Sequence, residues 1–175
     1  MISGLEVYLP DDGYTEERGI VYKTSMDATW DFNPFSFKQE KISISKENVL
    51  RGFHGDSVTG KLVTCFSGKL KLVVVDRREK SPTFFKGNRE IGYFSTVLSV
   101  EENKHVFIPK GCINAHYVIT GPCALHYKLT SKYEGPESQK TVLWSDTIIN
   151  GFPEVSDPVI SERDTKGLKL EEVIL

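Results

Sequence analysis

The apolar residues of this chain come in short bursts, never in long runs. They fall in Gly19 to Tyr22, Phe37 to Ile44, Val49 to His54, Lys61 to Phe66, Lys69 to Asp76, Glu90 to Leu98, His105 to Ile108, His116 to Ile119, Cys123 to Leu129 and Thr141 to Trp144. Turn signals stand around and between them: Asp11-Asp12-Gly13, Asn33-Pro34, Ser67-Gly68, Ser81-Pro82, Lys86-Gly87-Asn88, Pro109-Lys110-Gly111, Gly121-Pro122 and Gly135-Pro136. Each supplies a positive φ, a fixed φ or a side chain that bonds its own backbone. No stretch keeps a 3.6-residue apolar period for several turns without a breaker, so long helices are excluded. Many short strands punctuated in this way predict an all-β sandwich or barrel. Ser99 to Lys104 reads as a polar turn and Glu137 to Lys140 as a short helical one. From about Pro153 the chain turns charged and proline-containing, which predicts an extended tail laid over the barrel. The whole of 1–175 then reads as a single domain, long enough to bury one core.

The formal net charge of -2 gives no electrostatic reason to bind nucleic acid. No apolar run approaches the ~20 residues of a bilayer-spanning helix, so no membrane role is expected. Met1-Ile2-Ser3-Gly4-Leu5-Glu6 lacks the basic and apolar stretches of a secretory signal. Cys65, Cys112 and Cys123 form no CxxC pair, and an odd count fits a reducing compartment. A cytoplasmic location is the expectation. Cys65 and Cys123 read as core residues; Cys112, after a Pro-Lys-Gly turn, reads as near a pocket without a histidine beside it in sequence.

Chemistry concentrates in three segments: Arg51-Gly52-Phe53-His54 with Lys61, then His126-Tyr127-Lys128, then Ser161-Glu162-Arg163-Asp164. The Thr59-Gly60 turn predicts a hairpin that sets the strand of Lys61 beside that of His54. A histidine base, a lysine cation, a phenol and a carboxylate are the groups needed to move a proton next to a carbonyl. Taken singly, Tyr127 also reads as a strand tyrosine and Asp164 as a surface aspartate. Metal-binding β-barrels use His-x-His with a later Glu and His. Here the position two after His54 is Asp56, and Asn114 stands where the later histidine would be, so no metal and no cofactor are expected.

Asn48-Val49-Leu50-Arg51-Gly52-Phe53-His54, Gly60-Lys61-Leu62-Val63-Thr64-Cys65, Val74 through Phe84 and Ile108-Pro109-Lys110-Gly111 resemble the dTDP-4-dehydrorhamnose 3,5-epimerase family. The likeness runs in order from Glu17-Arg18-Gly19 through Leu143-Trp144-Ser145-Asp146 to Ser161-Glu162-Arg163-Asp164. It implies a metal-free, cupin-like jelly roll, a homodimer, and epimerisation at C3 and/or C5 of a nucleotide-linked 4-keto sugar. By position it makes His54 the general base, Asp164 its partner, Lys61 the lysine near the keto oxygen and Tyr127 the general acid. Tyr133 matches an aromatic beside the nucleotide base. Arg51 and Arg18 match arginines on the pyrophosphate, Arg18 reaching in from a partner subunit. Gln39 and Ser43 match polar pocket positions.

The chain also departs from the family pattern. A His-Gly-Phe triplet is replaced by Asn114-Ala115-His116, an expected asparagine by Lys41, and an aromatic–Gln pair by Gly55-Asp56. These changes resemble a variant subgroup that accepts other nucleotide sugars, so dTDP or GDP, and a deoxyhexose or a heptose, all stand as substrates. Asn114 also raises inversion at C3 alone. The rival readings are a nucleotide-sugar 3,4-ketoisomerase, disfavoured by Lys61 and Tyr127, and a catalytically inactive sugar-nucleotide binding protein.

Overall fold

A computed structural model describes residues 1–9, 14–21 and 37–175 of the chain. The expected turns at Asp11-Asp12-Gly13 and Asn33-Pro34, and Tyr22 at the end of the first expected strand, lie outside the described residues. In chain order the strands are β1 (Glu6–Tyr8), β2 (Tyr14–Glu16), β3 (Gly19–Val21), β4 (Gln39–Ser45), β5 (Leu50–Gly55), β6 (Lys61–Asp76), β7 (Tyr93–Ser99), β8 (His105–Ile108), β9 (Cys112–Leu129) and β10 (Lys140–Thr141). One short helix, α1, covers Glu162–Thr165. The main sheet runs β1-β8-β6-β9-β5-β10, with β4 joined to β9 and β7 to β6; β2 and β3 pair separately. Every strand pairing is antiparallel, as the all-β expectation required.

Two expected turns are instead corners inside long strands. Ser67-Gly68 lies within β6 and Gly121-Pro122 within β9, and the register between these strands slips from Cys65 to Leu70. Gly68 takes φ 71°, and a Cβ there would stand 2.5 Å from the carbonyl oxygen of Thr120. Glycine and proline here bend paired strands rather than end them, because a bulge lets one strand pass from one layer to the other. The first half of β9 therefore pairs with β5 and the second half with β4.

The expected hairpin between His54 and Lys61 does not form. β9 lies between β5 and β6, so the two strands are second neighbours. Asn114 on β9 is the shared rung, opposite His54 on one side and Val74 on the other. Two long β6–β9 arms outcompete a local two-strand ribbon, which alone is marginal in water.

Parity along the strands sorts the core. Leu70, Leu72 and Val74 of β6 join Val118, Cys123, Leu125, Tyr127 and Leu129 of β9 in the barrel interior. Val73 and Val75 point the other way, into a second cluster with Phe53, Phe85, Ile113, Phe152, Leu170 and Val173. Burial on both faces explains the unbroken Val73-Val74-Val75 run. Each fully buried large apolar side chain contributes about 1.5–3 kcal/mol by leaving water. The C-terminal tail covers the second cluster, tied on by parallel bridges Val49 to Val159 and Val142 to Leu168. It is extended as expected, except for α1 and a single turn at Leu170–Glu172.

Candidate active site

β4, β5, β6 and β9 each deliver side chains to one cavity of about 300 Å³, which α1 closes from the tail. His54, Lys61, Tyr127 and Asp164 all line it, with Ser43, Arg51, Asn114 and Tyr133. In β9 the residues Cys123, Leu125, Tyr127 and Leu129 alternate inward, so Tyr127 faces the cavity. His126 faces outward, stacked on Phe66 and 3.3 Å from Glu40, and takes no part in the site.

Asp164 is brought in by local helix chemistry. Ser161 caps α1, its side chain accepting from the Asp164 amide, which places Asp164 at the third helical position, 2% exposed. His54 Nε2–H donates to Asp164 Oδ1 over 2.6 Å, and the Gly52 amide lies 3.4 Å from Oδ2. Burial on its own would raise the Asp164 carboxyl, but His54 and the Gly52 amide hold it below the usual aspartate value. The carboxylate fixes the tautomer and leaves Nδ1 as the basic nitrogen. Burial, against the pull of Asp164 and helped by Arg163 and Lys61, lowers the imidazole below 6.5, so it is neutral at pH 7.

Lys61, 6% exposed, donates from Nζ to Asn114 Oδ1 at 2.6 Å and to the His54 carbonyl at 3.3 Å. Burial brings its ammonium down to about 8, partly opposed by Asp56. Tyr127 is raised to about 12, chiefly by burial, so its phenol holds its proton throughout the neutral range. Ser43 lies near enough to temper that shift, yet its buried Oγ has no hydrogen bond of normal geometry among the described residues. Base, cation, carboxylate and phenol thus meet in one enclosure with complementary protonation states.

Not every expected residue lines the cavity. Gln39 stands behind it, its Oε1 accepting from the Tyr133 amide at 2.6 Å. Arg18 is exposed on the turn between β2 and β3 and does not line this cavity. Cys112, expected near a pocket, is 2% exposed in the core, and burial pushes its thiol up to about 12. Its side chain is one more wall of the barrel.

Thr59 and Gln139 line the cavity without any motif pointing to them, and Ser161 and Arg163 of the third segment line it beside Asp164. The Ser161-x-x-Asp164 spacing was the available signal, since it is that of a helix N-cap. Lys41 and His116, noted only as departures, are lining residues too. The Lys41 ammonium sits 4.5 Å from the Tyr133 ring centroid and 5.1 Å from that of Tyr127. With Arg51, Lys61 and Arg163 it gives the lining four cationic side chains against the single carboxylate of Asp164. Such an excess suits a ligand with more than one negative charge. Among the described residues no three His, Cys, Asp or Glu side chains converge as a metal site, and no helix is long and apolar enough to cross a membrane.

The family model described as dTDP-4-dehydrorhamnose 3,5-epimerase matches residues 2–172. A dTDP-4-dehydrorhamnose 3,5-epimerase from Salmonella typhimurium is 31% identical over 169 residues, covering 93% of this chain and 88% of that one. Among solved structures, a dTDP-6-deoxy-D-glucose-3,5-epimerase from Legionella pneumophila in complex with dTDP-4-keto-L-rhamnose superposes with TM-score 0.82. It is 30% identical, covering 95% of this chain and 88% of its own. A 3'-monoepimerase from Streptomyces bikiniensis in complex with dTDP-quinovose gives TM-score 0.83 at 25% identity, covering 97% and 85%.

Proposed function

As the chain belongs to the dTDP-4-dehydrorhamnose 3,5-epimerase family, an isomerase family of cupin-like fold acting on nucleotide-linked sugars, we propose that it inverts C3, C5 or both in a nucleotide-linked 4-keto sugar. The observation that carries this reading is a neutral imidazole oriented by a buried carboxylate in the same cavity as a protonated phenol. The ketone at C4 acidifies the hydrogens on its neighbours. Neutral His54 takes one of them, and Asp164 stabilises the imidazolium that results. The electron pair moves into the enolate, whose oxygen Lys61 holds. Tyr127 then delivers its proton to the opposite face of the same carbon, which inverts it. Exchange with solvent then takes the proton from His54 and restores one to Tyr127, and a ring flip presents the second carbon for the same sequence.

Arg51 and Lys41 are suited to the diphosphate, and Tyr133 to the face of the base. Exposed Arg18 is suited to the diphosphate of a second subunit in a homodimer. That assembly is supported by Ile42 and Ile44, 59% and 72% exposed on β4, whose outer edge is unpaired among the described residues. Sedimentation at the mass of one chain at micromolar concentration would refute it. We further read the 175 residues as one domain, and its compartment as the cytoplasm, since three cysteines without a CxxC pair fit a reducing environment.

The deciding experiment is proton NMR in heavy water with dTDP- and GDP-linked 4-keto hexoses and heptoses. Deuterium is expected at C3, C5 or both, with inversion. Tyr127→Phe is expected to keep exchange at the abstracted position while losing inverted product. A wild-type enzyme that exchanges neither carbon in any of these sugars removes the proposal. Inversion at C3 alone is the narrower reading, because Asn114, bonded through its amide oxygen to Lys61, stands where the family pattern has a histidine. Deuterium at both carbons would rule that restriction out.

The pH profile follows from the two shifted groups. His54 must be unprotonated, so kcat/KM should rise with pH through a value below 6.5. Lys61 must be protonated, so kcat/KM should fall as pH passes about 8. A profile flat up to pH ~9.5 would exclude the lysine from holding the enolate.

A further inference from the structure

We propose that His116 is a specificity-determining residue that holds a hydroxyl group of the bound sugar, a claim that rests on the nucleotide-sugar reading above. His116 is 2% exposed and lines the cavity. β9 sets it directly opposite Arg51 on β5 and Leu72 on β6, which fixes its backbone from both sides. Its ring makes no hydrogen bond to any described residue, and neither nitrogen is sealed within the protein. Buried histidines in a core are bonded to something, because an unpaired polar edge loses its water without compensation. Among the described residues, the space that His116 lines for such a partner is the cavity.

The chemistry of the ring narrows what that partner is. Burial, with Arg51 and His54 nearby, brings the imidazole down to about 3, so it stays neutral. Proton abstraction is not its task. A neutral imidazole offers one donor and one acceptor, which is the complement of a hydroxyl, itself both donor and acceptor. A phosphate accepts only and is better served by Arg51 and Lys41. A methyl group would leave both nitrogens unpaired.

The test pairs enzyme variants with sugar analogues. Calorimetry would measure binding of unreactive dTDP- and GDP-glucose, which carry a hydroxyl in place of the ketone, and of their 2-, 3- and 6-deoxy analogues. The proteins are the wild type, His116→Phe and His116→Gln. His116→Phe is expected to weaken the parent sugar by about ten-fold and to leave unweakened the one deoxy analogue that lacks the partner hydroxyl. His116→Gln, which keeps a donor and an acceptor, should recover most of the parent affinity. Equal loss across the parent and all three analogues, or no loss at all, overturns the proposal, since a merely structural histidine cannot distinguish the sugars. Deuterium exchange by the wild type reports separately on catalysis: absent exchange with the sugar-dependent pattern intact overturns the epimerase reading and leaves His116 as the hydroxyl reader. No binding of either nucleotide sugar by the wild type overturns both.

Discussion

His54→Gln is expected to fold as the wild type does and to lose about 10²–10⁴ in turnover, the range a positioned general base contributes. The substitution is chosen for what it keeps. Asp164 is buried, with the imidazole as its closest partner at 2.6 Å. Removing that partner without replacement would strand a carboxylate in the interior, a severe cost in stability. The glutamine amide, whose Nε2 reaches the place of the imidazole Nε2, still offers an N–H to Oδ1 and so separates loss of the base from loss of the fold. What it lacks is a nitrogen that takes up a proton near neutral pH. Thermal melting should move little while solvent deuterium ceases to enter the sugar. Exchange at the wild-type rate would show that some other group removes the proton.

Gly52→Ala should produce the second large effect, on both stability and activity. Gly52 sits between Arg51 and His54 at φ 118°, outside the range that L side chains adopt readily. A Cβ built there stands 2.6 Å from the Asn114 carbonyl oxygen and 2.7 Å from the Ala115 Cα. Both are backbone atoms of β9, held by two neighbouring strands, so they do not swing aside as a side-chain tip would. Strain and overpacking together cost about 3 kcal/mol or more. For a chain of this length that lowers Tm by about 6–12 °C. Activity should fall further than stability alone implies, because the Gly52 amide faces Asp164 Oδ2 and a shifted strand mis-aims His54. Gly135→Ala is the control: φ is 110° there, but nothing lies within 4 Å of the added carbon. Equal losses in the two variants would mean that close packing against β9 contributes nothing.

The candidate site was partly legible in the sequence. His54, Lys61, Tyr127 and Asp164 are named by motifs that a resemblance aligns, and all four meet in one cavity. Arg51, Ser43, Asn114 and Tyr133 join them. Gln39 does not: it supports the Tyr133 backbone from behind, and no residue type signals whether a polar side chain faces a ligand or a neighbouring amide. Arg163 belongs to the third chemistry-bearing segment but carries no role by sequence, because beside Asp164 in a charged tail a cation ordinarily means solvent. Only the packing of α1 against β5 turns it toward His54, where its charge helps lower the imidazole.

The order of residues, taken alone, was enough to specify short strands, the in-and-out alternation of Cys123 to Leu129, the absence of long helices and kinship with a family of nucleotide-sugar epimerases. These are local properties, set by backbone preference and side-chain parity over a few residues. Whether Ser67-Gly68 and Gly121-Pro122 end a strand or bend one, that β9 lies between β5 and β6, that the tail buries Asp164, and that His116 faces a void were decided only by the assembled sheet. Each depends on which distant segments pair. That choice is made by the summed burial and hydrogen bonding of the whole barrel, to which no short window of sequence has access.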